Sequence, residues 1–120
     1  FLDWLLGEIA GCRKARVFTD QWRTPTPVSQ LPEVLARLIE KPQARGLFHW
    51  AGADRVSRLE FGRAVCRAFS LGEENLQPVS MADFKQAAAR PRDCSLRCDK
   101  LSREIGLAPL GLETGLSAER

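Results

Sequence analysis

Arg90, in the turn Arg90-Pro-Arg-Asp93, is the residue best suited to recognition chemistry. A planar guanidinium can pair two phosphate or carboxylate oxygens at once, and Pro91 fixes the backbone that presents it. A turn arginine on a solvated surface is the competing reading, and Arg92 leans that way. A second polar cluster is Asp20-Gln-Trp-Arg-Thr-Pro-Thr26. Its Asp and Thr side chains readily bond nearby backbone N–H groups, and Trp22 can stack on a ring or simply pack. His49 is the sole histidine and has apolar neighbours. A core group bonded to a backbone atom is expected there rather than a catalyst. No Ser or Cys partner for it is recognisable, so no nucleophilic triad is read. Cys94 and Cys98 form a C-x-x-x-C pair, with Cys12 and Cys66 elsewhere. Structural zinc takes two close pairs, so reduced thiols packed as small apolar groups are expected and no metal site. No residue of the chain is assigned a catalytic role.

These groups must be positioned by short elements. Leu2, Leu5, Leu6 and Ile9 fall at helical spacing, with Gly11 as the stop. A helix that opens at residue 1 without an N-cap gives the expectation of an excised segment. Ala15–Thr19 reads as a strand ending in the polar loop. Leu31, Val34, Leu35, Leu38 and Ile39 make one apolar stripe on a second helix, with Ser29 as N-cap and Pro32 in the first turn. Gly46–Ala51 reads as a strand with large apolar groups on both faces, as for a strand covered on both sides. Ser57 and Glu60 form a capping box, which also accounts for Glu60 as something other than half of a carboxylate pair with Asp54. The helix they start carries Leu59, Val65, Cys66 and Phe69 inward and ends near Gly72. Leu76–Val79 is extended, and Pro78 puts it at an edge. Ser80 and Asp83 cap a short helix through Ala89, and a last helix runs from about Asp99 to Ile105 before Gly106. The result is an α/β alternation, mostly helices with three short strands.

Composition narrows the function. The chain of 120 residues carries a net charge of +3, with arginines scattered rather than gathered on one face, so a nucleic-acid binder is not expected. Its apolar runs are far shorter than the ~20 residues needed to cross a bilayer, and no segment has the order of a signal peptide. A cytoplasmic protein is expected.

Three segments in order resemble one family. Asp20-Gln-Trp-Arg-Thr-Pro-Thr26, Gly46-Leu-Phe-His-Trp-Ala-Gly52, and Arg90-Pro-Arg-Asp93 continuing through Leu96 and Asp99-Lys-Leu101 are similar to the corresponding loop, strand and tail of dTDP-4-dehydrorhamnose reductases. These are extended short-chain dehydrogenases/reductases. The resemblance implies that residues 1–120 are the C-terminal, substrate-binding portion of a Rossmann-type NAD(P)-binding enzyme. The cofactor half, with its Gly-rich phosphate turn and catalytic Tyr-x-x-x-Lys, is absent from this chain, which has no tyrosine. NADPH is therefore expected for the parent and no cofactor for this segment, which alone should be inactive. In the parent reaction that Tyr would protonate a carbonyl oxygen as the nicotinamide delivers hydride.

The implied ligand is a nucleotide-linked 4-keto-6-deoxy sugar of dTDP-rhamnose biosynthesis. Arg90 would face its diphosphate, and Gln21, Trp22, Thr24, Pro25 and Thr26 would shape the pocket. Gln30, Pro32 and Trp22-Arg23 depart from the family pattern and bear on substrate identity more than on fold. His-Trp at 49–50 also resembles the regulatory beta subunit of methionine adenosyltransferase, which leaves a non-catalytic interaction module as the alternative. The resemblance further implies that Gly46–Gly52 joins a sheet whose other strands lie in the Rossmann portion. Its open edge gives two expectations, self-association through Leu47–Trp50 as in a homodimer, or cover of that strand by other chains or a further portion.

Overall fold

Ser57 begins the best-defined helix. Its hydroxyl accepts the Glu60 backbone N–H at 3.1 Å, while the Glu60 carboxylate accepts the Ser57 N–H at 2.6 Å. This reciprocal cap closes two of the donors that a helix start leaves open. The computed structural model describes residues 1–84 and 88–119, and among these the chain forms five α-helices and four short strands. They are α1 (Leu2–Ala10), β1 (Ala15–Phe18), β2 (Trp22–Arg23), α2 (Leu31–Ile39), β3 (Val56–Ser57), α3 (Arg58–Ala68), β4 (Leu76–Val79), α4 (Asp99–Ile105) and α5 (Leu112–Ala118). Two compact units are built from them, Phe1–Arg23 with Val56–Cys94, and Thr24–Arg55 with Ser95–Arg120.

In the first unit β1 pairs in parallel with β4, Ala15 opposite Leu76 and Phe18 opposite Val79. Parallel strands need a long crossover, and α3 lies within it. β4 pairs with β1 alone among the described residues, so Pro78, which has no N–H to donate, sits on an edge strand as expected. Leu5 and Ile9 of α1, Ala15 and Val17 of β1, and Ala64, Val65 and Cys66 of α3 are buried. Gly62 lets α3 approach the sheet, because a Cβ there would lie 3.3 Å from a Leu76 methyl. Leu59 and Phe69 are only half-buried. α3 stops at Ala68, before the expected Gly72, because Ser70 turns left-handed (φ 54°) and the Leu71 N–H reaches back to the Cys66 carbonyl at 2.8 Å. Ser80 and Asp83 do form a cap, but around a single 3-10 turn, Met81–Asp83, after which Phe84 is extended. The expected continuation through Ala89 crosses residues 85–87, outside the described residues.

The second unit is organised by Val34 of α2 and Leu101 and Ile105 of α4, with Leu38, Phe48, Trp50 and Leu107 packed against them. Leu35 and Ile39 are 59% and 80% exposed, so only part of the apolar stripe of α2 is covered. Ser29 is not its N-cap; a 3-10 turn, Val28–Gln30, leads into the helix, and the Ser29 N–H donates to the Glu119 carboxylate at 3.1 Å.

Gly46–Ala51 is not a strand: it starts at a bend, Gly46 with φ 91°, and no neighbouring strand pairs with it among the described residues. It is covered on one face only. Phe48 and Trp50 turn to the core, while Leu47 is 74% exposed and His49, expected in the core, is exposed. The Cys98 thiol anchors its end, with Sγ 2.9 Å from the Ala51 nitrogen and 3.4 Å from the Ala51 oxygen. α5 was not read from the sequence. Its first turn is capped by a residue far back in the chain, Asp54, whose carboxylate accepts the Leu112 N–H at 2.7 Å. α4 ends as expected, at Gly106 with φ 63°.

Candidate functional site

The polar loop after β1 is fixed at both ends of its first half. The Asp20 carboxylate accepts the Met81 N–H and the Ser80 hydroxyl, both at 2.9 Å. The Met81 N–H, helped by Ser80 and by the charge of Arg92, holds the Asp20 carboxyl below its ordinary range. Asp20 thus ties β1 to the segment after β4. Trp22 then ties the same loop to the Arg90–Asp93 turn, donating its N–H to the Arg92 carbonyl at 2.7 Å and accepting the Cys94 N–H at 3.2 Å. Trp22 also pairs with Ser57 as part of β2–β3, so its backbone registers three separate stretches of chain.

The consequence is an open cleft of about 270 Å³ in the first unit. Two of the residues expected to bind ligand, Gln21 and Arg90, line it. Gln21 is buried and Arg90 exposed. Two further guanidiniums, Arg16 and Arg58, and three rings, Phe1, Trp4 and Phe18, complete the lining with Val17. No carboxylate is among these residues. Phe1 stacks obliquely on Trp4 at 5.3 Å, and the Arg58 guanidinium lies 4.3 Å from the centre of the Phe1 ring. Burial and the nearby charge of Arg23 both push the Arg58 pKa down, which marks a cation poorly compensated where it stands. Three cations facing a cleft with aromatic walls can hold a phosphorylated ligand and stack on its planar part.

The other expected residues do structural work. Thr24 Oγ1 accepts the Leu96 N–H at 3.1 Å, and Thr26 Oγ1 donates to the Thr24 carbonyl at 3.3 Å. The Pro25 carbonyl packs so tightly on Gly52 that a Cβ there would sit 1.9 Å from it. Trp22, Thr24, Pro25 and Thr26 do not line this cleft. Arg16, Arg58, Phe1 and Trp4 escaped the sequence reading, since each looks like an ordinary strand or helix position. A signal was present for Arg58, a cation at the first position of a capped helix, where the dipole disfavours it.

All four cysteines are free. Cys66 and Cys98 are buried as small packed groups, and burial pushes both thiols up. Cys12 and Cys94 depart from that expectation and are exposed. Among the described residues no three His, Cys, Asp or Glu side chains gather to hold a metal ion, and no helix is long and apolar enough to cross a membrane.

Comparison with known proteins accords with this geometry. The methionine adenosyltransferase 2 subunit beta of Pongo abelii is 35% identical over 88 residues, covering 68% of this chain and 26% of that protein. A protein of Haloferax volcanii described as a probable low-salt glycan biosynthesis reductase is 28% identical over 118 residues, 98% of this chain and 39% of its own length. The crystal structure of dTDP-4-dehydrorhamnose reductase from Bacillus anthracis, in complex with NADP, matches with a TM-score of 0.87 at 25% identity. That match covers 98% of this chain and 41% of the reductase. The chain thus spans well under half the length of the relatives it matches, and its fold is that of the C-terminal part of a Rossmann-type extended short-chain dehydrogenase/reductase. The family described as RmlD substrate binding domain matches residues 1–118, and the chain belongs to that family, the substrate-binding domain of dTDP-4-dehydrorhamnose reductase-like proteins.

Proposed function

We propose that this chain is the sugar-nucleotide-binding part of an NADPH-dependent reductase acting on a dTDP-4-dehydro-6-deoxy sugar. The observation that carries the reading is the cleft in which Arg90 and Gln21 meet two more guanidiniums and a wall of aromatic rings. A nucleoside diphosphate-sugar presents a matching set of groups, a planar base and a diphosphate with several charged oxygens. Arg90 pairs the diphosphate through its planar fork, which a lysine would meet only as a point charge. The chain orients the sugar and supplies no proton or hydride.

The residues present do not fit NADPH itself. A dinucleotide pyrophosphate is held by a Gly-rich turn opening a helix, and this sequence has no G-x-x-G-x-x-G. The cofactor would be held by other parts of the parent protein. A second reading is favoured by the 35% identity to the methionine adenosyltransferase beta subunit: a non-catalytic module of the same fold.

Titration of the protein with dTDP and with a dTDP-sugar tests the first reading. Arg90→Ala should weaken binding roughly ten- to a hundredfold, the loss of one charge-assisted pair. Unchanged affinity would return Arg90 to a surface turn. Absence of any nucleotide binding would favour the interaction module.

A further inference from the structure

Arg58 is placed where a cation is costly three times over. It is half-buried, which charged groups resist unless paired. It occupies the first position of α3, an 11-residue helix whose N-terminus carries partial positive charge. It also lies close enough to Arg23 for the two to repel. Among the described residues it has no carboxylate partner; its side chain meets only the Gln21 amide oxygen, at 3.3 Å, and the Phe1 ring. Those two contacts aim the guanidinium without neutralising it.

A side chain that only packed here would be better apolar, and one that only bridged would be better met by a carboxylate. Arg58 shares the cleft with Arg90, whose segment is brought there by Trp22. We propose that Arg58 is a second anion-binding residue of this cleft, and that with Arg90 it selects a diphosphate over a monophosphate. Two guanidiniums divide two phosphate groups between them, while a monophosphate leaves one guanidinium unsatisfied. Gln21 is the positioning residue that holds Arg58 in that orientation. The assignment rests on the nucleotide-sugar reading of the cleft.

The test is calorimetric titration of the unsubstituted protein, Arg58→Ala, Arg58→Lys and Arg90→Ala with dTDP and with dTMP, alongside thermal melts without ligand. Arg58→Ala should lose roughly ten- to a hundredfold in dTDP affinity and much less for dTMP, so that the preference for the diphosphate collapses. Arg58→Lys keeps the charge and the stem and should recover part of the dTDP affinity. Arg58→Ala also removes the donor to the buried Gln21 amide oxygen, so the melts separate any loss of stability from the change in nucleotide preference.

If Arg58→Ala and Arg58→Lys keep the full dTDP preference while Arg90→Ala loses it, the proposal is overturned and the nucleotide reading stands. If Arg58→Ala does not fold, an unaltered preference in Arg58→Lys overturns it equally. If the unsubstituted protein binds neither nucleotide, both readings fall together.

Discussion

Gln21 and Arg58 are joined twice, side chain to side chain at 3.3 Å and backbone to backbone, where the Arg58 N–H reaches the Gln21 carbonyl at 3.1 Å. The loop after β1 and the start of α3 are thereby one rigid corner. Gln21 is 4% exposed, so its amide is committed to that corner.

Replacing Gln21 separates stability from binding. Gln21→Ala leaves the half-buried guanidinium without its acceptor and should cost about 1–3 kcal/mol, read by denaturant unfolding. Gln21→Glu supplies the missing negative charge. It should hold or raise stability while weakening dTDP binding, because Arg58 is then neutralised from within. Tighter dTDP binding by Gln21→Glu would contradict the anion-site reading.

Two helix caps of different origin should also separate. Ser57→Ala removes the acceptor of the α3 capping box and should cost about 0.5–2 kcal/mol of stability. Asp54→Ala uncaps α5, and its effect should centre on amides near Leu112. Hydrogen exchange resolves both, with protection falling in α3 for the first variant and in α5 for the second.

The pH dependence of stability has a defined sign at Asp20. Its folded pKa is lowered, first by the Met81 N–H, so its contribution is present above the unfolded value of about 4 and fades as pH falls through the lower folded value. Asp20→Asn should therefore flatten the acid limb of a melting-temperature profile and leave its shape near pH 8 unchanged. A parallel profile for the variant would show that Asp20 is not the group being titrated.

The unpaired stretch from Gly46 to Ala51 leads to an association prediction. Leu47 is largely exposed on a segment that no strand of the described residues pairs, its carbonyl meeting the Lys100 ammonium, so its apolar side chain is open to another chain. Sedimentation at micromolar concentrations should show concentration-dependent self-association, reduced by Leu47→Lys. A monomer at all concentrations would mean that one covered face, Phe48 and Trp50 on Val34, Leu101 and Ile105, is sufficient for this segment.

Much of the local structure was legible because its causes are local. The capping box at Ser57, the edge character imposed by Pro78, the stop at Gly106 and the spacing of Leu5 and Ile9 act within a turn or two, so residue type and spacing carried them. Arg90 and Gln21 were likewise singled out from motif and chemistry, and with them the family. What the sequence could not decide were relations across long stretches of chain. Whether Gly46–Ala51 becomes a strand depends on a neighbour to pair with, and His49 faces outward because one side of that segment is uncovered. α5 owes its start to Asp54, and the cleft owes Arg58 to a corner closed by Gln21. Periodicity reports which face of an element is apolar, but burial and charge compensation are set by what folds against it, and only the tertiary structure supplies that.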